Sequence, residues 1–169
     1  MRVFDYNRQN AVEYAKKWAL KRNPKYYNFD NIGGDCTSFA SQCLFAGAPI
    51  MNYTKDLGWY YNSVRDRAPA WSGVEFFCNF LLANNLTNGG VGNGVGPFGK
   101  LASKMELEIG DFIQFGNSNA GFYHTAIITA FRANEPLLSA HSSNSYNRPL
   151  SSYSYEQLRL IKIEGYKNF

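Results

Sequence analysis

Apolar positions change their period part-way along this chain. Before roughly residue 82 they recur at the three-and-four spacing of helices, and from Glu108 onward they alternate. Ala11, Val12, Ala15, Trp18 and Ala19 form one stripe with Glu13, Lys16, Lys17 and Lys21 outside it, which predicts an amphipathic helix over residues 5–21, ended by Asn23-Pro24. Phe39, Ala40, Cys43, Leu44 and Gly47 predict a second helix. It opens at Asp35-Cys36 after a bend at Gly33-Gly34, with Asp35 as N-cap. A third is predicted over Trp71–Leu82, with Ser72 as cap and Glu75 completing a capping box.

The period-two half predicts strands at Ile109–Phe115, Phe122–Phe131, Leu137–Ser142 and Leu158–Ile163. Helices followed by a strand meander make an α+β fold with an antiparallel sheet. Between the halves, Asn88 to Pro97 is glycine-rich. A phosphate-cradling loop would end in Gly-Lys-Ser/Thr and run from a strand into a helix; this stretch does neither and is expected to be a flexible surface loop.

A length of 169 residues with 45% hydrophobic content suits one domain over 1–169 with a single packed core, in which most of the twelve Tyr and thirteen Phe are expected to be structural. The net charge of +4 comes from scattered Lys and Arg without a basic run, as on a solvated face, so no nucleic-acid partner is expected. No apolar run is long enough to span a membrane, and the N-terminus lacks a signal-peptide core, so export would use another route or a leader outside this chain. Cys36, Cys43 and Cys78 form no C-x-x-C spacing. Cys36 and Cys43 lie two helical turns apart, too far for a disulfide, and Cys43 falls on the apolar face.

Cys36 is different, because it falls in the first turn of its helix. Unpaired amide N–H groups and the positive end of the helix dipole favour a thiolate there, while the adjacent Asp35 opposes it, so an imidazole partner is required. Only two histidines occur. His124 shares a strand face with Phe122, Ala126 and Ile128, and His141 shares one with Leu137 and Ser139. A hairpin bend between Arg132 and Ala133 would set the two rings opposite each other; a slightly later bend would set Asn144 there instead. His124 would then hold the thiolate and protonate a leaving amine, with His141 or Asn144 fixing its tautomer. A zinc site of Cys36, His124 and His141 ranks lower, lacking a fourth ligand or a short-spaced chelating pair.

With these residues in place the chain resembles the putative amidase domain family of the papain-like cysteine peptidases, related to NlpC-type and CHAP cell-wall hydrolases. The likeness is carried by Tyr6 to Trp18, by Gly34-Asp35-Cys36-Thr37-Ser38-Phe39 with Ser41-Gln42-Cys43, by Gly110-Asp111-Phe112-Ile113-Gln114-Phe115, and by His124-Thr125-Ala126-Ile127-Ile128-Thr129 followed by Ala140-His141-Ser142. The resemblance implies a papain-like fold, a Cys36 nucleophile, a His124 base, a third polar residue assigned to His141, and Asp35 binding a substrate amine or backbone. No metal and no cofactor are expected. The expected activity is cysteine-dependent hydrolysis of an amide in bacterial peptidoglycan or a peptide, by a monomer outside the cell or in its wall. Two other readings stay open: an exported effector that cleaves or deamidates a protein, and a non-catalytic binding module using the Tyr53, Trp59, Tyr60 and Tyr61 loop, which is placed over the active face.

Overall fold

The computed structural model describes residues 1–85 and 89–169. Asn88, at the head of the glycine-rich stretch, lies outside them. The elements run β1 (Arg2–Phe4), α1 (Arg8–Trp18), α2 (Cys36–Gly47), β2 (Tyr61–Ser63), β3 (Asp66–Arg67), α3 (Pro69–Ser72), α4 (Val74–Asn84), β4 (Gly96–Leu101), β5 (Phe112–Asn117), β6 (Gly121–Arg132), β7 (Glu135–Ala140), β8 (Ser145–Pro149) and β9 (Gln157–Asn168). This is an α+β architecture. Its main sheet has seven antiparallel strands in the order β1-β9-β5-β6-β7-β8, with β4 also pairing β9, and β2-β3 forms a separate small hairpin. Among the described residues no helix is long and apolar enough to cross a membrane.

The sheet is covered on both faces. Phe112, Ile127, Ile161 and Ile163 point toward the helices and pack with Phe39, Ala40, Cys43, Leu44, Trp59, Trp71 and Phe77. Their neighbours Ile113, Phe115, Ala126 and Ile128 point the other way, against Leu107, Leu138 and Leu150. That is why Phe112 to Gly116 is buried without interruption although a strand alternates its side chains. Each large apolar side chain so buried contributes about 1.5–3 kcal/mol.

Helix α1 presents Ala11 and Ala15, both fully buried, so its backbone lies close to α2. Its start is latched to the sheet. Tyr6 donates to the Gly110 carbonyl at 3.0 Å, and Arg8 reaches the Asp111 carboxylate at 2.7 Å and the Ile163 carbonyl at 2.7 Å. The Asp111 carboxylate also accepts from the backbone N–H groups of Glu108 and Ile163. Gly110, at φ +85°, lies in the left-handed region, where a Cβ would also press to 3.2 Å from the Tyr6 ring. The Gly110-Asp111 pair is therefore an architectural clasp.

Several local expectations are corrected. The third helix is two, α3 and α4, divided at the extended Gly73; Ser72 ends α3 and its hydroxyl accepts from Arg67 Nε, so it caps nothing. A capping box does form, at Ser103 and Glu106 before β5. The glycine-rich stretch is anchored rather than loose: Val95 is buried, its carbonyl accepts from Asn52 and Asn84, and Gly96 begins β4. Trp59 is completely buried and Tyr61 packs on Trp71, so two of the four loop aromatics belong to the core. Strands β1, β4 and β8 were not expected, since each is too short or too glycine-rich to show a period.

The hairpin between β6 and β7 carries the correction that matters most. Its two-residue turn is Ala133-Asn134, both at positive φ, with Arg132 opposite Glu135. A bulge between Ile128 and Ala130 then leaves Ile127 opposite Ser139. His141 follows the end of β7 and stacks on Phe39 with the helix-side core, whereas His124 packs on Phe115 with the core of the other face. One residue of slip reverses the face of every side chain, so the two histidines lie on opposite faces of the sheet.

Candidate active site

The segment Asn28 to Asp35 crosses the end of β7 before α2 begins, and a buried polar network fixes it there. Gly33 and Gly34 take φ of +83° and +99°, which turns the chain into the helix. The Asp35 carboxylate does not cap α2. It accepts instead from the Phe29 N–H at 2.9 Å and from His141 Nδ1 at 2.7 Å, and Arg22 Nε lies 3.3 Å away, near enough for an ion pair though not aligned as a hydrogen bond. The Asp35 N–H donates to Ser142 Oγ at 2.8 Å, Ser142 donates to Asp30, and Arg22 joins Asp30 at 2.8 Å and Asn144 at 3.0 Å.

His141 is fully buried within this network. Its Nε2 donates to the Trp18 carbonyl at 2.8 Å, and its ring stacks on Phe39 with centroids 3.9 Å apart. With Nδ1 against a carboxylate and Nε2 against a carbonyl, both nitrogens are engaged. Neither nitrogen is left for His124. The expected hydrogen bond between the imidazoles is therefore not made, and Asn144 is turned to Arg22 instead. Asp35, 1% exposed with its oxygens occupied, does not present its carboxylate to a substrate amine.

Cys36 begins α2 and is 6% exposed. Its Sγ lies 3.8 Å from Thr37 Oγ1, and Thr37 Oγ1 meets Thr125 Oγ1 at 3.0 Å, which bolts the start of α2 to β6. Gln114 Nε2 extends the chain to Thr125 at 3.1 Å, and Arg159 holds the Gln114 carbonyl oxygen. Burial pushes the Cys36 thiol up, hydrogen bonds from Thr125 and Thr37 draw it partly back, and the Asp35 charge adds to the rise. The thiolate expected from the helix dipole is thus outweighed by desolvation at rest.

On one side Cys36, Gly33 and Gly34, and on the other His124, Arg148 and Tyr153, line a single open cavity of about 370 Å³. Residues from segments far apart in the chain meet there. The His124 ring packs beside Phe115 and Tyr153 at centroid distances of 5.7 and 6.3 Å, and makes no hydrogen bond among the described residues. Burial, then the neighbouring Arg148 charge, hold it down to about 4. At neutral pH the pair is therefore an uncharged thiol and an uncharged imidazole.

A larger cavity of about 570 Å³ between Lys104, Met105, Leu107, Phe131 and Asn134 has no Cys, Ser, Thr or His in its lining. Among the described residues no group of three His, Cys, Asp or Glu side chains gathers closely enough to hold a metal ion. Arg148 and Tyr153 were missed by sequence reasoning. One is a lone basic residue before a proline and the other one of twelve tyrosines, and neither has a signature in spacing.

No solved structure matches this chain. It is similar to the uncharacterized protein YhbB of Bacillus subtilis (strain 168), with 34% identity over 162 residues, covering 92% of this chain and 46% of that protein. The uncharacterized protein YjcM of the same organism is 32% identical over 149 residues, covering 87% of this chain and 33% of its own length. The chain thus spans less than half the length of these curated relatives. Residues 5–163, from before the α1 latch to the middle of β9 and including the whole cavity, match a family model, and the chain belongs to the family it describes, "Putative amidase domain".

Proposed function

We propose that the chain is a cysteine-dependent amide hydrolase in which Cys36 is the nucleophile and His124 the base. The observation that carries this reading is the shared cavity, which brings the only thiol at a helix start together with the only imidazole that has no hydrogen-bonding partner among the described residues.

Because the pair rests uncharged, the nucleophile is generated as substrate arrives. Cys36 Sγ attacks the amide carbonyl while His124 takes its proton; the imidazolium gives that proton to the nitrogen as the C–N bond breaks, and an amine leaves. Water, activated by the freed imidazole, attacks the thioester, and the acid departs as the proton returns to sulfur. The N–H of Cys36, in the first helical turn and without an intrahelical acceptor, is placed to hold the oxyanion. Gly33 and Gly34 leave the cavity floor bare, since a side chain at Gly33 would meet nothing within 4 Å and would project into the open space. Packing against Phe115 and Tyr153, rather than a third polar residue, orients His124. Asp35 and His141 hold the helix start in place.

The resemblance to cell-wall hydrolases supports an amide in peptidoglycan, met at the cell wall, as the substrate class. The test is incubation of purified cell walls with the wild type and with Cys36→Ala, reading released muropeptides by mass spectrometry and fold by circular dichroism. A folded variant without release is the expected result, and undiminished release by that variant overturns the reading.

A further inference from the structure

We propose that this cavity selects substrates carrying a carboxylate beside the scissile amide, and that Arg148 is the residue that reads it. The inference rests on the hydrolase reading above and names its substrate class.

Arg148 is held for such a contact. Its Nε donates to Ser152 Oγ at 2.9 Å, its Nη2 donates to the Ser152 carbonyl at 2.9 Å, and its guanidinium lies 3.8 Å from the centroid of the Tyr153 ring. A guanidinium fixed on one edge and one face loses little further entropy when it binds. Its remaining nitrogen, Nη1, has no hydrogen bond among the described residues, and no carboxylate there lies within 4.0 Å of it. Arg8, Arg22 and Arg159 all differ, each meeting an Asp or Glu. The cavity walls contain no acidic residue, and the one carboxylate nearest Cys36, that of Asp35, is sealed beneath them. Arg148 is thus the one charged side chain in these walls, and the carboxylates behind them are engaged, Asp35 by His141 and Asp30 by Arg22 and Ser142, so the cavity favours an anion over an ammonium group.

The same placement ties binding to chemistry. Arg148 is near enough to His124 to lower its affinity for a proton. A carboxylate on the guanidinium cancels that charge and returns basicity to the imidazole when substrate is present. A neutral amide of the same shape would leave His124 a weaker base.

The experiment needs no identified substrate. Iodoacetate and iodoacetamide alkylate Cys36 by the same step, in which an S–C bond forms as the C–I bond breaks and iodide leaves with the electron pair, but only the former carries a carboxylate. The ratio of their rates, read by mass spectrometry of the Cys36 peptide at low ionic strength, is expected to fall roughly tenfold from wild type to Arg148→Gln, about the weight of one charge-assisted contact. Arg148→Lys, which keeps the charge without the stacking, should retain part of the preference. Thermal melting of both variants checks the fold. A Cys36 that reacts readily with an unchanged ratio in Arg148→Gln overturns this inference and leaves the hydrolase reading standing. A Cys36 inert to both reagents even at a pH high enough to ionise the raised thiol removes the hydrolase reading and this inference with it.

Discussion

The two histidines lie one strand apart and on opposite faces of the same sheet, and their surroundings differ in every respect that bears on function. His141 is fully buried, bonded through both nitrogens to Asp35 and Trp18, and stacked on Phe39. His124 faces an open cavity with no hydrogen bond among the described residues and a charged Arg148 beside it. A ring with every donor engaged holds segments together and has no capacity left to move a proton. A ring with none engaged does have that capacity. Two residues of one type, seventeen positions apart, thus end in a closed hydrogen-bond network and in an open cavity, divided by a single step of register.

The division can be broken at either end. The largest expected effect is on activity: His124→Ala, like Cys36→Ala, should lower amide cleavage by at least about 10³-fold while changing stability by no more than about 1 kcal/mol, as read by turnover and urea denaturation on the same preparations. His141→Ala should do the reverse in kind. Removing the ring leaves the buried Trp18 carbonyl and one Asp35 oxygen without their donor and costs about 3 kcal/mol, visible as a fall in Tm of roughly 10 °C. Residual activity of the folded fraction at low temperature should remain within about tenfold of wild type; a far deeper loss would return His141 to the reaction.

Acid sharpens the contrast further. His124 binds its proton at about 4 in the folded chain against 6.5 unfolded, so between those values the unfolded state holds more protons. Stability is therefore expected to fall as pH drops from about 6.5 to about 4, by about 1–2 kcal/mol after allowance for the ring's partial exposure. In His124→Gln this share of the slope should vanish, measured by denaturant midpoints at several pH values. The acid limb of kcat/KM should lie near 4 for the same reason, with activity lost below it as the base becomes protonated. The smallest effect belongs to Asn144→Ala. Its side chain holds Arg22 at an exposed site, so stability should change by less than about 1 kcal/mol and turnover not at all. A collapse of turnover in this variant would mean that Asn144 orients His124 during the reaction.

The helix stripes were legible because they are long: Ala11, Ala15 and Ala19 are buried as the spacing requires, and α2 starts at Cys36 after paired glycines, although α1 runs only from Arg8 to Trp18 rather than over 5–21. The central strands were legible for the same reason. Where a short signal had two uses, the reading failed. Ser72 with Glu75 has the composition of a capping box, but Gly73 is extended there and the box forms at Ser103 instead. Asp35 has the composition of an N-cap, yet His141 and Phe29 compete for its carboxylate and win. Arg148 had no local signal at all.

What the sequence determined by itself is whatever depends on neighbours within a turn or a strand: helix, strand, the α+β class, and a cysteine at a helix mouth. Only the tertiary structure decided which polar groups meet. That depended on a turn centred at Ala133-Asn134 and on a bulge near Ile128, small shifts whose energies differ little locally but which set the face of every side chain beyond them. Hence the chain's two imidazoles were visible from the outset, and the difference between them was not.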